Sequence, residues 1–327
     1  MLDQNQKKKE DFLYQSFYLL GDKMNIIKHR KIYYIISAIG IIPGVIALIV
    51  HGLTLGIDFT GGSRIEIANV DRIDQDDLKT TVETFAPVIT IREIGEHSYT
   101  VRTEPIEQAT YAEIISAIQT KDSEINELNF ETVGPTIGSE ITRKAFIAVG
   151  IASIAITAYI AYVFRQVSKP LSSWKYGIAA VVALLHDVIF VVGIFSILGW
   201  FWGVEVDALF ITALLTVMGF SVHDSIVVFD RVRETLKKEQ NIPFDTVVNN
   251  SLLETLNRSL NTSISTLLVL FTLLLFSDGA LRWFVFALFI GILSGTYSSI
   301  FNASPLLVTW NNWDQKKSKK RKKKESI

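Results

Sequence analysis

One long apolar run contains Phe220-Ser221-Val222-His223-Asp224-Ser225-Ile226, an ionisable pair flanked by hydroxyls. A charge at membrane depth costs on the order of 3 kcal/mol or more, so such residues serve ion relays or hydrogen bonds between helices. Ser221, Asp224 and Ser225 share one helical face by the i, i+3, i+4 rule, while His223 sits about 100° around the helix. A second run holds His186-Asp187, with Gly193 and Ser196 further along. A third opens Asn257-Arg258-Ser259-Leu260-Asn261-Thr262-Ser263-Ile264-Ser265, which puts Arg258, Asn261, Thr262 and Ser265 on one polar stripe. Apolar surroundings favour a protonated carboxyl and a nearby guanidinium an ionised one. Relative movement of the helices carrying Asp224 and Arg258 would then load and unload a proton, with His223 as a shuttle that titrates near neutral pH. The same residues fit a second reading, in which Asp224, Asp187 and His186 only bind helices together and His223 packs at an interface. Both readings stand on the sequence.

The stretch Gly56-Ile57-Asp58-Phe59-Thr60-Gly61-Gly62-Ser63 poses a different question. It has the G-x-x-x-x-G spacing of a phosphate-binding loop and ends in a hydroxyl residue, but Gly62 stands where that loop needs its lysine. Gly56, Gly61 and Gly62 permit backbone conformations closed to other residues, so the expectation is a flexible joint rather than a nucleotide site. Gly291, Ser294, Gly295 and Ser298 form a small-residue stripe suited to close helix contact. Asp230-Arg231-Val232-Arg233-Glu234 ends the Asp224 run either as a solvated helix terminus or as a lock between the fourth and fifth spans.

These residues need elements to hold them, and the composition says which. Of 327 residues 49% are hydrophobic, and only 7 are proline, which is too apolar for an ordinary soluble domain. Apolar runs of about 20 residues match membrane-crossing helices. Six are expected: 32–50, 145–164, 176–198, 208–229, 260–276 and 283–310. A leader over 1–31 precedes them and a basic tail over 311–327 follows. In the leader Phe12, Leu13, Phe17, Leu20 and Met24 recur with helical spacing, which fits a surface-lying helix or an unstructured segment. The first run is too long for a signal-peptide core. Lys and Arg gather in the leader, the 165–175 loop, the 230–258 loop and the tail, so both termini are expected in the cytoplasm and residues 51–144 outside. The net charge of -1 conceals this asymmetry. The run Lys316-Lys317-Ser318-Lys319-Lys320-Arg321-Lys322-Lys323-Lys324 is expected to be disordered and drawn to anionic membrane lipids, with no nucleic-acid role. With no cysteine in the chain, disulfide and thiol chemistry are excluded.

The region between the first two spans reads as a small α+β domain. Ile65 and Ile67 alternate with Arg64 and Glu66 as in a strand covered on one face. Asp74 opens a helix with Leu78, Val82 and Phe85 on one side, and Pro87 ends it. Ile89 and Ile91, a turn near Gly95-Glu96, then Tyr99 and Val101 give a hairpin. A second helix carries Tyr111, Ile114, Ile115 and Ile118, and Leu128 with Phe130 begins a last strand. The order strand, helix, strand, strand, helix, strand is that of a ferredoxin-like domain. His97 reads as a turn residue. The domain holds no His or Cys pair at metal-ligand spacing and no serine in a nucleophile elbow, so neither enzyme activity nor any cofactor or metal is expected.

GIDFTGG at 56–62, VGPTIGSE at 133–140 with its Gly134-Pro135, HDVIFVVGIFSILG at 186–199, GFSVHDSIVVFDRVRE at 219–234 and NRSLNTSISTLL at 257–268 together resemble the SecF family. That family provides the smaller part of the SecDF membrane complex and is similar to the resistance-nodulation-division transporters. The resemblance implies that Asp224 matches the family's proton-carrying aspartate and Arg258 its functional arginine. It implies an accessory role in polypeptide export at the bacterial plasma membrane, driven by a proton or sodium gradient. The implied partners are a SecD-like subunit, the SecYEG channel with SecA, YajC or YidC, and the exported polypeptides. Position 223 departs from the pattern, with His where the family usually has Asn, which bears on the local proton path. A related small-molecule or lipid exporter and a scaffold that carries nothing are the rival readings.

Overall fold

The computed structural model describes residues 25–68, 70, 73–95, 97–164, 171–238 and 242–325. The leader up to residue 24, Glu96 and most of the 165–175 loop lie outside the described residues. The described chain divides into two compact units. One comprises Leu53–Val149 with Gly203–Ile211, and the other comprises the helices before, between and after those segments.

The helical unit explains the apolar runs. Its helices are α1 (Arg30–Val50), α4 (Pro135–Val163, from Gly150 on), α5 (Ser173–Trp202), α6 (Ala208–Lys238, from Thr212 on), α7 (Phe244–Phe276), α8 (Gly279–Ser298) and α9 (Ser304–Glu325), the first turns of α4 and α6 belonging to the other unit. A short π-helical turn, Ser299–Ala303, joins α8 to α9, which together form one span. Among the described residues six stretches are therefore long and apolar enough to cross a membrane, and the protein is a multi-pass membrane protein. Aromatic side chains stand exposed near the ends of the spans, with Trp200, Phe201 and Trp202 on α5 and Trp174 and Trp313 at the opposite ends, as rings of interfacial depth do.

Small residues set the helix spacing. Gly44 of α1 crosses Gly193 of α5 so closely that a Cβ on either would fall within 2.8 Å of the other's backbone. A Cβ at Gly291 would run into Val217, and one at Gly295 would lie 3.1 Å from the Ser221 Cβ, so α8 lies directly on α6. The helix of the third run begins well before the polar stripe: the first half of α7 buries Phe244, Val247, Val248 and Leu252. There Asn249 Oδ1 accepts the Ile26 N–H at 3.0 Å, holding the start of the first span. The basic tail, expected to lack structure, continues α9 as helix to Glu325. Its cause is continuity: a helix already nucleated in the span propagates through lysines, which favour helix.

The α+β unit contains β1 (Gly62–Ala68), α2 (Gln75–Glu83), β2 (Val88–Gly95), β3 (Ser98–Thr103), α3 (Gln108–Lys121) and β4 (Asn126–Val133). Its sheet is antiparallel in the order β2-β3-β1-β4. Ile65, Ile67, Val101, Leu78, Val82, Ile114 and Ile118 make its core, and Tyr111 stacks on Phe130. Asp74 caps α2 by accepting the Asp77 N–H at 2.8 Å. Phe85, read on the packed side of its helix, is exposed, as are Ile89 and Leu128, because the helices and strands of so small a unit leave their edges uncovered. His97 sits in the hairpin turn with φ of 58°.

Candidate functional site

The two aspartates of the apolar runs have opposite surroundings. Asp187 is fully buried, and its two oxygens accept four hydrogen bonds. Ser221 of α6 donates to Oδ2 at 2.6 Å and Ser298 of α8 at 2.7 Å. Ser294 of α8 donates to Oδ1 at 2.7 Å, and His186 Nδ1 lies 3.0 Å from the same oxygen. Asp187 thus fastens α5, α6 and α8 at one point. The glycines beside those serines permit it, since a Cβ at Gly295 would lie 3.1 Å from the Ser221 Cβ and 3.6 Å from Asp187 Oδ2. The sequence reads Ser294 and Ser298 as part of a small-residue contact stripe. They serve close contact and hydrogen bonding together.

Asp224 is 2% exposed, yet its Oδ2 has no hydrogen-bond partner. Ser263 of α7 hydrogen-bonds the carboxylate, and the Ser263 hydroxyl accepts from Thr296 Oγ1 at 2.7 Å. Ser225 on α6 and Ser259 on α7 are also buried with unpartnered hydroxyls. Ser221, Asp224 and Ser225 therefore do share the buried face of α6, whereas His223 is exposed. The expected meeting of Asp224 with the polar stripe of α7 is not made. Arg258, Asn261, Thr262 and Ser265 are exposed, the hydroxyls of Thr262 and Ser265 turn back onto the Arg258 and Asn261 carbonyls at 3.0 and 2.7 Å, and among the described residues Asp224 has no ion pair. α7 turns its small residues inward: Ser259 and Ser263, four apart, are buried while Arg258 is exposed. Thr255, Ser259 and Ser263 at four-residue spacing were the signal, outweighed by larger polar neighbours.

The glycine-rich segment is a packed junction within the α+β unit. Ile57–Thr60 form one helical turn, followed by Gly61 at φ 74° and Gly62 at φ 120°. A Cβ at Gly62 would sit 2.7 Å from the Thr103 carbonyl oxygen, and one at Gly138 of α4 would sit 2.9 Å from the Gly61 nitrogen. Gly134 precedes α4 and Pro135 opens it, where a missing N–H costs nothing. On the other side, Gly56 N–H donates to the Val206 carbonyl at 2.8 Å and Val206 N–H to the Thr54 carbonyl at 2.9 Å. Arg102 of β3 is 7% exposed and binds three groups. It donates to the Leu55 carbonyl at 3.1 Å, Glu205 Oε1 at 2.9 Å and Thr60 Oγ1 at 2.9 Å. Asp58 Oδ2 accepts the Ala208 N–H at 2.8 Å, and Asp207 Oδ1 accepts the Phe210 N–H at 2.9 Å. Burial pushes the Asp207 carboxyl above its ordinary value and the Asp58 charge adds to this, against the Phe210 N–H and the Arg64 charge. The flexible joint read from the glycines is thus a locked one here: the left-handed conformations serve close packing.

Both features carry a family pattern. Residues 113–313 match the model for protein export membrane protein SecD/SecF, C-terminal, and residues 46–68 match the SecD/SecF GG motif. The chain belongs to the SecD/SecF family. Among its SecD/SecF relatives, the protein translocase subunit SecF of Thermobaculum terrenum is 43% identical, with 89% of this chain and 95% of the relative covered. The protein translocase subunit SecDF of Bacillus subtilis is 36% identical over 90% of this chain and 39% of its own. The crystal structure of SecDF, a translocon-associated membrane protein from Thermus thermophilus, superposes with a TM-score of 0.76 at 32% identity. It is matched over 88% of this chain and 39% of its own. This SecD/SecF member therefore corresponds to a minor portion of the longer SecDF chains. The GG-motif match covers Gly56, Asp58, Gly61 and Gly62, and the C-terminal match covers both aspartates and Arg258.

Proposed function

We propose that this chain is an accessory subunit of the Sec protein-export machinery, and that it uses a transmembrane proton or sodium gradient to promote movement of polypeptides across the bacterial plasma membrane. The observation that carries this reading is the buried, half-satisfied carboxylate of Asp224. An oxygen desolvated without a partner is costly where it is merely structural, and it is what an ion carrier presents when ready to be loaded. The same family's members include SecDF chains in which the matched portion is one part of a longer polypeptide. A SecD-like subunit is therefore the proposed partner, seated against the exposed stripe of Arg258, Asn261, Thr262 and Ser265. Polar groups on a lipid-facing helix surface are expensive, and a second polypeptide relieves that cost. SecYEG, with SecA, is the proposed channel context.

In this reading Arg258 meets Asp224 in another conformation of α7, loading occurs from one side and release to the other, and Asp187 stays a fixed joint. The basic loops support an orientation with both termini in the cytoplasm and the α+β unit, read as ferredoxin-like, outside. Each elementary charge crossing the membrane supplies about 2.3 kcal/mol per 100 mV, enough to bias a helix shift. Export of a secreted reporter in cells carrying Asp224→Asn tests the mechanism. Loss of gradient-dependent export from a normally assembled variant is expected, and undiminished export would leave a scaffold. Co-purification of SecD-like and SecY-like chains with the tagged protein tests the export context; their absence would point to another cargo.

A further inference from the structure

The first turn of α6 is capped twice. A helix leaves its first N–H groups without intrahelical partners, and one local Asp, Ser or Thr normally serves them. Asp207 already does so through Phe210 N–H. Asp58, far away in sequence, adds a second carboxylate through Ala208 N–H at 2.8 Å. Two like charges at one helix end repel, so helix formation alone does not call for the second. What Asp58 adds is a tie between α6 and the GG segment, which is itself immobilised. Arg102 and the Gly62 contact hold it to β3, and Gly138 holds it to α4. From Ala208 the helix continues without a break to Asp224 and on to Lys238.

We propose that Asp58 is a positioning residue for energy coupling: its carboxylate holds the N-terminal end of the Asp224 helix to the GG segment, so that displacement of α6 is delivered to the sheet of the α+β unit. The proposal rests on the reading of Asp224 as the ion carrier. Asn at position 58 keeps an oxygen that accepts the Ala208 N–H, whereas Ala removes it. The Asp207 cap remains in both, so α6 keeps its start.

The test uses the full-length protein assembled with its partner in cell membranes. Export of a secreted reporter is read alongside the amount of the protein and its recovery with the partner. Asp58→Ala is expected to lower gradient-dependent export about fivefold, the effect of losing one cap interaction, with Asp58→Asn restoring most of it. The chain contains no cysteine, so the double variant Asp58→Cys, Ala208→Cys carries only the engineered pair. Its oxidised form restores the tie covalently and is expected to export well, and reduction of the same membranes to lower export to the level of Asp58→Ala. Because both forms come from one assembled population, a folding defect cannot imitate that difference. Equal export in the oxidised and reduced forms, at any level, overturns the proposal. Should Asp224→Asn abolish export while Asp58→Ala exports normally, the coupling role of Asp58 fails and the carrier reading survives. Normal export by Asp224→Asn removes the carrier reading itself.

Discussion

Asp187 and Asp224 lie in neighbouring apolar helices of one bundle and are equally hidden, yet one carboxylate accepts four hydrogen bonds while the other leaves an oxygen bare. Burial alone therefore does not distinguish a joint from a carrier. A saturated carboxylate is held by all its donors at once, and moving it means breaking them together. An unsaturated one exchanges partners cheaply, and its spare lone pairs are available to a proton or a cation. On the proposed reading, the contrast leaves structural work to Asp187 and transport work to Asp224.

The largest expected effect comes from Asp224→Asn. The amide keeps size and can still bond Ser263, so the bundle is expected to assemble, while the gradient-dependent part of export falls to that of cells lacking the protein. Export assays with and without an ionophore check this. Asp187→Ala attacks the other half of the contrast by removing the acceptor shared by three serines and His186, of which Ser298 retains the Gly295 carbonyl at 3.2 Å. Interhelical hydrogen bonds in membranes average below 1 kcal/mol, but those to a carboxylate are stronger, so a loss of about 2–4 kcal/mol of bundle stability is expected. Thermal unfolding in detergent measures it, and export should fall only as the amount of folded protein falls. A well-folded Asp187→Ala protein with no export would break the comparison and make Asp187 part of the relay.

Why the sequence revealed the carboxylates but not their difference follows from what each depends on. Apolar length exposes the spans, and alternation at Ile65 and Ile67 exposes the sheet, because both are local patterns. The i, i+3, i+4 rule put Ser221, Asp224 and Ser225 on one buried face for the same reason. Which donors converge on Asp187 depends instead on the rotation of α8 about its axis, fixed by Gly291 and Gly295 against α6. Likewise the side of α7 that meets Asp224 is chosen by the small volume of Ser259 and Ser263, which polarity ranks below Arg258. Asp58 reaching Ala208 is a contact across distant segments that no periodicity encodes.

A smaller effect sharpens the contrast from the side of Asp224. Ser263→Ala removes its hydrogen bond and leaves the Thr296 hydroxyl its second partner, the Ile292 carbonyl at 2.9 Å. A bond of this kind contributes about 1 kcal/mol, so the protein should accumulate normally while gradient-driven export changes by about fivefold or less. Initial export rates at several gradient strengths distinguish this from Asp224→Asn, which should show no gradient response at all.

The carboxylate pair at the start of α6 provides a third case, satisfied but electrostatically uncomfortable. Burial, then the Asp58 charge, raise Asp207, and burial chiefly raises Glu66 despite Arg64. A raised folded-state value means that the folded protein binds the proton more tightly than the unfolded chain. These groups therefore add stability as the pH falls from neutral through their raised values, and the gain is complete below their ordinary values of 3.8 and 4.5. Melting temperatures of the purified protein, measured as the pH is lowered from neutral into that range, should carry this contribution. Asp207→Asn retains a capping oxygen but cannot titrate, so it should subtract the Asp207 share from the wild-type profile. Asp58→Asn should subtract less, since it relieves only the repulsion and not the burial. Identical pH profiles for the wild type and Asp207→Asn would mean that the pair is solvated well enough to be at ease, and that the tie between α6 and the GG segment is held without electrostatic cost.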